Sequence, residues 1–116
     1  MRLSKQMKKI MLVLKNEEEK REKKPHLRVK NFARKIYGDE AFYTPSWSYK
    51  EQVTNSRSVS LNRSLDRLAE EGLVVKLDNY VGIRYDLSPK GMDKATEIES
   101  EIKSYIREWT SFIEED

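Results

Sequence analysis

The side chains that make and break covalent bonds are nearly missing from these 116 residues. Cysteine is absent and histidine occurs once, at His26. That excludes disulfide scaffolds, thiol catalysis and thiolate metal sites, and makes zinc or histidine-based acid–base chemistry a poor fit. No carboxylate pair, Ser/His/Asp set or glycine-rich phosphate loop has usable spacing. The expectation is a chain that is no enzyme and has no metal and no cofactor. His26 follows Pro25 in a basic segment and reads as an exposed residue at a helix start.

What remains is reversible recognition. Leu61, Leu65 and Leu68 recur at the spacing of one buried helix face. At ~100° per residue, Ser56, Val59, Ser60, Arg63 and Arg67 then look the other way. Arginine pairs bidentately with guanine O6 and N7, serine serves base edges or phosphates, and an outward valine suits a thymine methyl. Asp66 and Glu70 border this face, so it is not uniformly basic, and they could pair with Arg63 and Arg67 in the free protein. Arg57, Ser58 and Lys50 sit where they would fix the helix start on phosphates, which set register without reading sequence. The expected partner is double-stranded DNA.

Charge placement agrees. Net charge is only +3, from 23 Lys and Arg against 20 Asp and Glu. Residues 97–116 hold seven of the acids and two of the bases, leaving the first 96 residues strongly basic. A basic body suits a polyanion, and the acidic tail another role. No apolar run approaches the ~18 residues of a membrane span, and Ile10–Leu14 lacks the features of a signal peptide. A cytoplasmic location with no membrane partner is expected.

These residues need elements to hold them. Residues 4–22 read as a helix with Leu3, Met7, Ile10, Met11 and Leu14 on its buried face, widened by Leu12 and Val13. Residues 26–37 read as a second helix stopped by Gly38. In 39–55, Phe42, Tyr43, Trp47 and Tyr49 crowd around Pro45, and Thr44-Pro45 would cap a short helix running to Val53. The aromatics are expected to form a satellite core anchoring a long connection; a ligand pocket is the alternative. The third helix covers 56–71, with Gly72 as its stop. Residues 73–77 and 83–87 read as a β-hairpin. Ser88-Pro89 opens a last helix to about Ile113. There Ala95, Ile98, Ile102, Tyr105, Trp109 and Phe112 follow coiled-coil spacing. So long a stripe exceeds what this body can cover, so a second copy is expected, its interface formed by Met7, Ile10, Leu14, Ile98, Ile102, Tyr105, Trp109 and Phe112. Lys5, Lys8 and Lys9 would meet the acidic last helix across it.

The stretch Ser58-Val-Ser-Leu-Asn-Arg-Ser-Leu-Asp-Arg-Leu-Ala-Glu-Glu-Gly-Leu-Val74 resembles the recognition helix and first wing strand of winged helix-turn-helix proteins. It is similar to MarR-like and PadR-like regulators and to small archaeal and viral winged-helix proteins. Asn31-Phe-Ala-Arg-Lys-Ile-Tyr-Gly38 resembles the preceding helix of the motif. One departure is plain: the turn is usually a few residues, whereas Gly38 to Asn55 is far longer, so either 46–53 is the motif's first helix or the turn has grown a lid.

The resemblance implies a mainly α fold with a small β-hairpin, an α+β winged helix-turn-helix with a long C-terminal dimerisation helix. One domain spans 1–116, with helices and wing over 4–88 and the dimerisation helix over 89–114. It implies a dimeric, repressor-like transcriptional regulator that inserts 56–71 in the major groove. Lys76, Asn79, Tyr80 and Arg84 become wing contacts by the same resemblance. The alternatives are a protein–protein adaptor without DNA binding, or a plasmid or viral replication or partition protein. A small-molecule effector is compatible, but no residue pattern supports one.

Overall fold

A computed structural model of the chain describes residues 2–113. Glu114, Glu115 and Asp116, three of the acids counted in the tail, lie outside the described residues.

Helix α1 runs Lys5–Arg21 and starts where the Ser4 hydroxyl accepts the Met7 N–H at 3.1 Å. Helix α2 covers Val29–Tyr37, three residues later than the spacing predicts. The reason is that the backbone of Leu27 is taken. Its N–H donates to the Tyr85 carbonyl at 3.0 Å, and the Tyr85 N–H donates back at 2.8 Å. Leu27 thus adds a one-residue third strand to the later hairpin. A 3-10 turn over Gly38–Ala41 follows.

The short helix expected after Thr44-Pro45 is not formed. Instead β1 (Phe42–Tyr43) and β2 (Gln52–Val53) pair antiparallel, Phe42 opposite Val53. The Thr54 N–H donating to the Ala41 carbonyl at 2.9 Å closes their base. Neither reading of the long turn as a helix therefore stands: α2 is the helix that precedes the 55–70 segment. Helix α3 spans Asn55–Glu70. Strands β3 (Val74–Asn79) and β4 (Gly82–Leu87) pair antiparallel in the register Val74↔Leu87 to Asn79↔Gly82, leaving Tyr80 and Val81 as the tip. Helix α4 runs Pro89–Ile113.

The core lies where α1, α2, α3, the β3–β4 hairpin and the first half of α4 meet. Ile10, Met11, Leu14, Phe32, Leu61, Leu65 and Leu68 are wholly buried there, with Tyr85 set edge-on to Phe32. Two joints hold the frame. The Ser88 hydroxyl donates to the Gly72 carbonyl at 2.6 Å and accepts the Gly91 N–H at 2.9 Å. It caps α4 and fastens it to the end of α3. Beside it, Gly91 packs so closely that a Cβ would lie 1.8 Å from the Leu73 carbonyl oxygen. Only glycine fits that approach.

This core corrects part of the expected dimer surface. Ile10 and Leu14 are fully buried and Ile98 is 2% exposed, all inside one protomer, with Met7 packed half-buried against them. The first half of α4 lies on α1 and uses these side chains up. The second half leaves the body: Ile102, Tyr105, Ile106, Trp109, Phe112 and Ile113 are exposed. Lys15, on α1, bonds Glu19 on its own helix and reaches Glu99 of α4 at 3.3 Å.

Candidate nucleic-acid interface

Helix α3 is anchored from three sides, and the anchors leave Ser56, Val59, Arg63 and Arg67 free. Its leucines enter the core. On α1, the Gln6 amide donates to the Ser64 hydroxyl at 2.8 Å, and to the Ser60 hydroxyl and carbonyl at 3.0 and 3.2 Å. The Tyr37 hydroxyl, from α2, donates to the carbonyl oxygen of that same Gln6 side chain. The Arg57 guanidinium then stacks 3.8 Å over the Tyr37 ring. One glutamine and one tyrosine therefore fix α3 against both preceding helices.

The side opposite the leucines is open. Ser56, Val59, Arg63 and Arg67 are exposed, Val59 by 42%. Ser60 is exposed but already holds Gln6, so its hydroxyl is partly spent. Arg57 is half-buried on Tyr37 and braces the helix as well as facing outward. Among the described residues Arg63 and Arg67 have no carboxylate within ion-pair distance. Neither pairs with Asp66 or Glu70; Asp66 instead lies 3.8 Å from Lys76 of β3. Both arginines keep their forks available.

Behind α3 the hairpin projects as a flap. Lys76, Asn79 and Tyr80 are exposed, Tyr80 completely. The Asn79 side-chain oxygen accepts the Val81 N–H at 2.9 Å and fixes the tip. Arg84 is half-buried. Two residues missed by spacing arguments hold the flap to the body. His26, with φ +50°, donates its backbone N–H to one oxygen of buried Asp86 at 2.7 Å, while its ring Nδ1 meets the other at 2.5 Å. Arg28 donates to the Val81 carbonyl at 3.1 Å. Their partners lie far along the chain, so no local signal points to them.

The four aromatics of the insertion do not gather into a satellite core or a shared pocket; only Phe42 packs on the core. Phe42 is half-buried beneath the Arg34 guanidinium at 3.8 Å, and Arg34 also pairs with Asp39 and Glu51. Tyr43, Trp47 and Tyr49 stand out in solvent, Trp47 by 76% and Tyr49 completely. A hairpin this narrow has no second layer to cover them.

A helix bound across two others, its polar face bare, followed by a flap of two strands, decides the architecture. The fold is a winged helix-turn-helix. No family model matches the sequence, and no curated protein matches it either. Solved structures do match in shape. A ZitR variant from Lactococcus lactis superposes with a TM-score of 0.65 at 11% identity, covering 96% of this chain and 60% of that one. YusO from Bacillus subtilis gives 0.64 at 17%, over 97% and 64%. The adhesin competence repressor of Streptococcus pyogenes gives 0.62 at 9%, over 97% and 66%. The winged-helix chain thus spans 60–66% of the length of these proteins. At such identities the likeness is one of fold. Within that fold, α3 holds the position of the recognition helix and β3–β4 that of the wing. No helix among the described residues is long and apolar enough to cross a membrane.

Proposed function

We propose that this chain is a transcriptional regulator of the repressor type that reads double-stranded DNA as a homodimer. The observation that carries the reading is the bare face of α3. Arg63 and Arg67 are unpaired donors on a helix fixed by Gln6 and Tyr37, with an exposed β-branched Val59 beside them. An exposed valine is a poor choice on a solvated helix surface and a good one against a thymine methyl. The winged-helix architecture supports the docking mode, and one of the similar proteins is a repressor by name. In this reading Ser56, Val59, Arg63 and Arg67 enter the major groove, Arg57 and Ser60 flank them, and Lys76, Asn79, Tyr80 and Arg84 follow the backbone.

The exposed half of α4 supports the dimer. Tyr105, Trp109 and Phe112 pack along one stripe with tilted rings, their centroids 6.1 and 5.8 Å apart. Beside them Leu12, Val13, Ile102 and Ile106 line a groove of about 450 Å³ between α1 and α4. A second α4 fits this apolar strip, and a two-fold pair would present its recognition helices to a palindrome.

Selection of bound sites from a random duplex library tests the whole reading. A two-fold symmetric motif is expected. Absence of any enriched motif, with no duplex affinity even at low salt, would leave the winged helix as a protein-binding scaffold instead.

A further inference from the structure

Besides Arg57, Arg63 and Arg67 of α3, two arginines at the wing lack, among the described residues, the carboxylate partners that several other basic side chains have. Arg21, Arg34, Lys24, Lys35 and Lys76 each stand within 4 Å of a carboxylate. Among the described residues Arg28 and Arg84 have no such partner. Arg28 reaches the wing from just before α2. It spends one N–H on the Val81 carbonyl, and its guanidinium carbon lies 3.7 Å from where a Cβ of Gly82 would be. Arg84 is two residues further along β4, so strand alternation puts it on the face of Gly82. Its Nε is buried and has no hydrogen-bond partner.

The acids nearby do not serve it. Asp86 shares that face, but His26 occupies both its oxygens. Asp78 falls on the other face, across from Ile83. A buried guanidinium N–H without an acceptor is costly, and an arginine fork matches a carboxylate or a phosphate bidentately; with the nearby carboxylates engaged or on the other face, phosphate is the group left to supply the acceptor. We propose that Arg28 and Arg84 together seat one phosphate against the wing, and that its source is the backbone of the bound duplex. The proposal rests on the DNA-binding reading and adds Arg28, which belongs to α2's approach rather than to the recognition helix or wing.

Titration of duplex binding against salt tests it, with the wild type, Arg28→Gln, Arg84→Gln and the double variant. Each phosphate neutralised contributes about 0.9 to the slope of log affinity on log salt. The double variant should lose about one phosphate's worth, and each single variant nearly as much, since both arginines share one anion. The wild-type advantage should then shrink about three- to fourfold between ~50 and ~200 mM salt. Arg28→Lys and Arg84→Lys should keep most of the slope, which a purely structural role would not require. A double variant with the wild-type affinity and slope overturns the seat, even where Arg63→Ala still alters sequence preference. A second arm follows the Arg84 Nε–H in a ¹⁵N spectrum as inorganic phosphate replaces chloride at fixed ionic strength. A shift is expected. A shift with an unchanged duplex slope, or with no duplex binding at all, identifies a soluble phosphate and overturns the backbone source. No shift and no effect on duplex binding overturns the proposal outright.

Discussion

Arg63 on α3 and Lys76 on β3 should fail differently. Arg63 is exposed and unpaired on the outer face of α3. Arg63→Ala should cost about 1–3 kcal/mol at one or two base pairs and leave other sequences little changed. Lys76→Ala should weaken specific and random duplexes alike, since a phosphate contact carries no sequence information. Competition binding with single-base operator variants separates the two, and equal loss on specific and random DNA in Arg63→Ala would contradict its assignment to a base. Gly91 is a residue-scale test of the frame. Gly91→Ala drives a methyl into the Leu73 carbonyl and should destabilise toward the upper end of the ~1–3 kcal/mol overpacking range, read by urea unfolding. At this scale the sequence was legible where chemistry is local. The leucines of α3 and the Ser88 cap announce themselves by spacing. Gln6, His26 and Arg28 do not, because each acts on a residue more than fifty positions away.

Elements were easier to find than their edges. Four helices and a hairpin follow from periodicity, and their order from turn residues. The start of α2 moved because Leu27 is claimed by Tyr85, a contact between residues 58 positions apart that no propensity encodes. The β1–β2 pair was missed for a related reason: a two-residue ladder gives no alternation to detect. Its exposed tip yields a prediction. Trp47→Ala and Tyr49→Ala should change unfolding free energy by no more than about 0.5 kcal/mol, whereas Arg34→Ala should loosen the whole insertion, seen as faster amide exchange over residues 39–53. Between α1 and α2 lies a buried carboxylate, Glu17, paired with Lys35 and Arg21, each at 3.2 Å. The Lys35 ammonium, opposed in part by burial, holds its pKa below the usual carboxylate range. Its contribution is therefore present above the unfolded-state value and lost as pH falls through the folded one. Melting temperature should drop on acidification below about pH 4.5 in the wild type, and Glu17→Gln should flatten that drop while lowering the plateau. An unchanged acid limb in the variant would place the sensitivity elsewhere.

At the scale of the molecule, the proposed assembly rests on α4. Its 25 residues make a rod of about 37 Å, and beyond Ile98 nearly every side chain faces solvent. Trp109→Glu with Phe112→Glu should convert a dimer to a monomer in sedimentation without lowering the melting temperature of the monomeric body, and a wild type that sediments as a monomer at tens of micromolar would remove the dimer. The coiled-coil spacing assigned too much of this stripe to an interface, since Ile10, Leu14 and Ile98 belong to the protomer's interior. The Ser88 clasp gives the strip a mechanical meaning. Because one hydroxyl ties the residue just past the α3 cap to the start of α4, a tilt of that rod in the proposed dimer would carry α3 with it. In a two-fold pair, the splay between two rods would then set the gap between half-sites, as the angle of a pair of dividers sets the distance between its points.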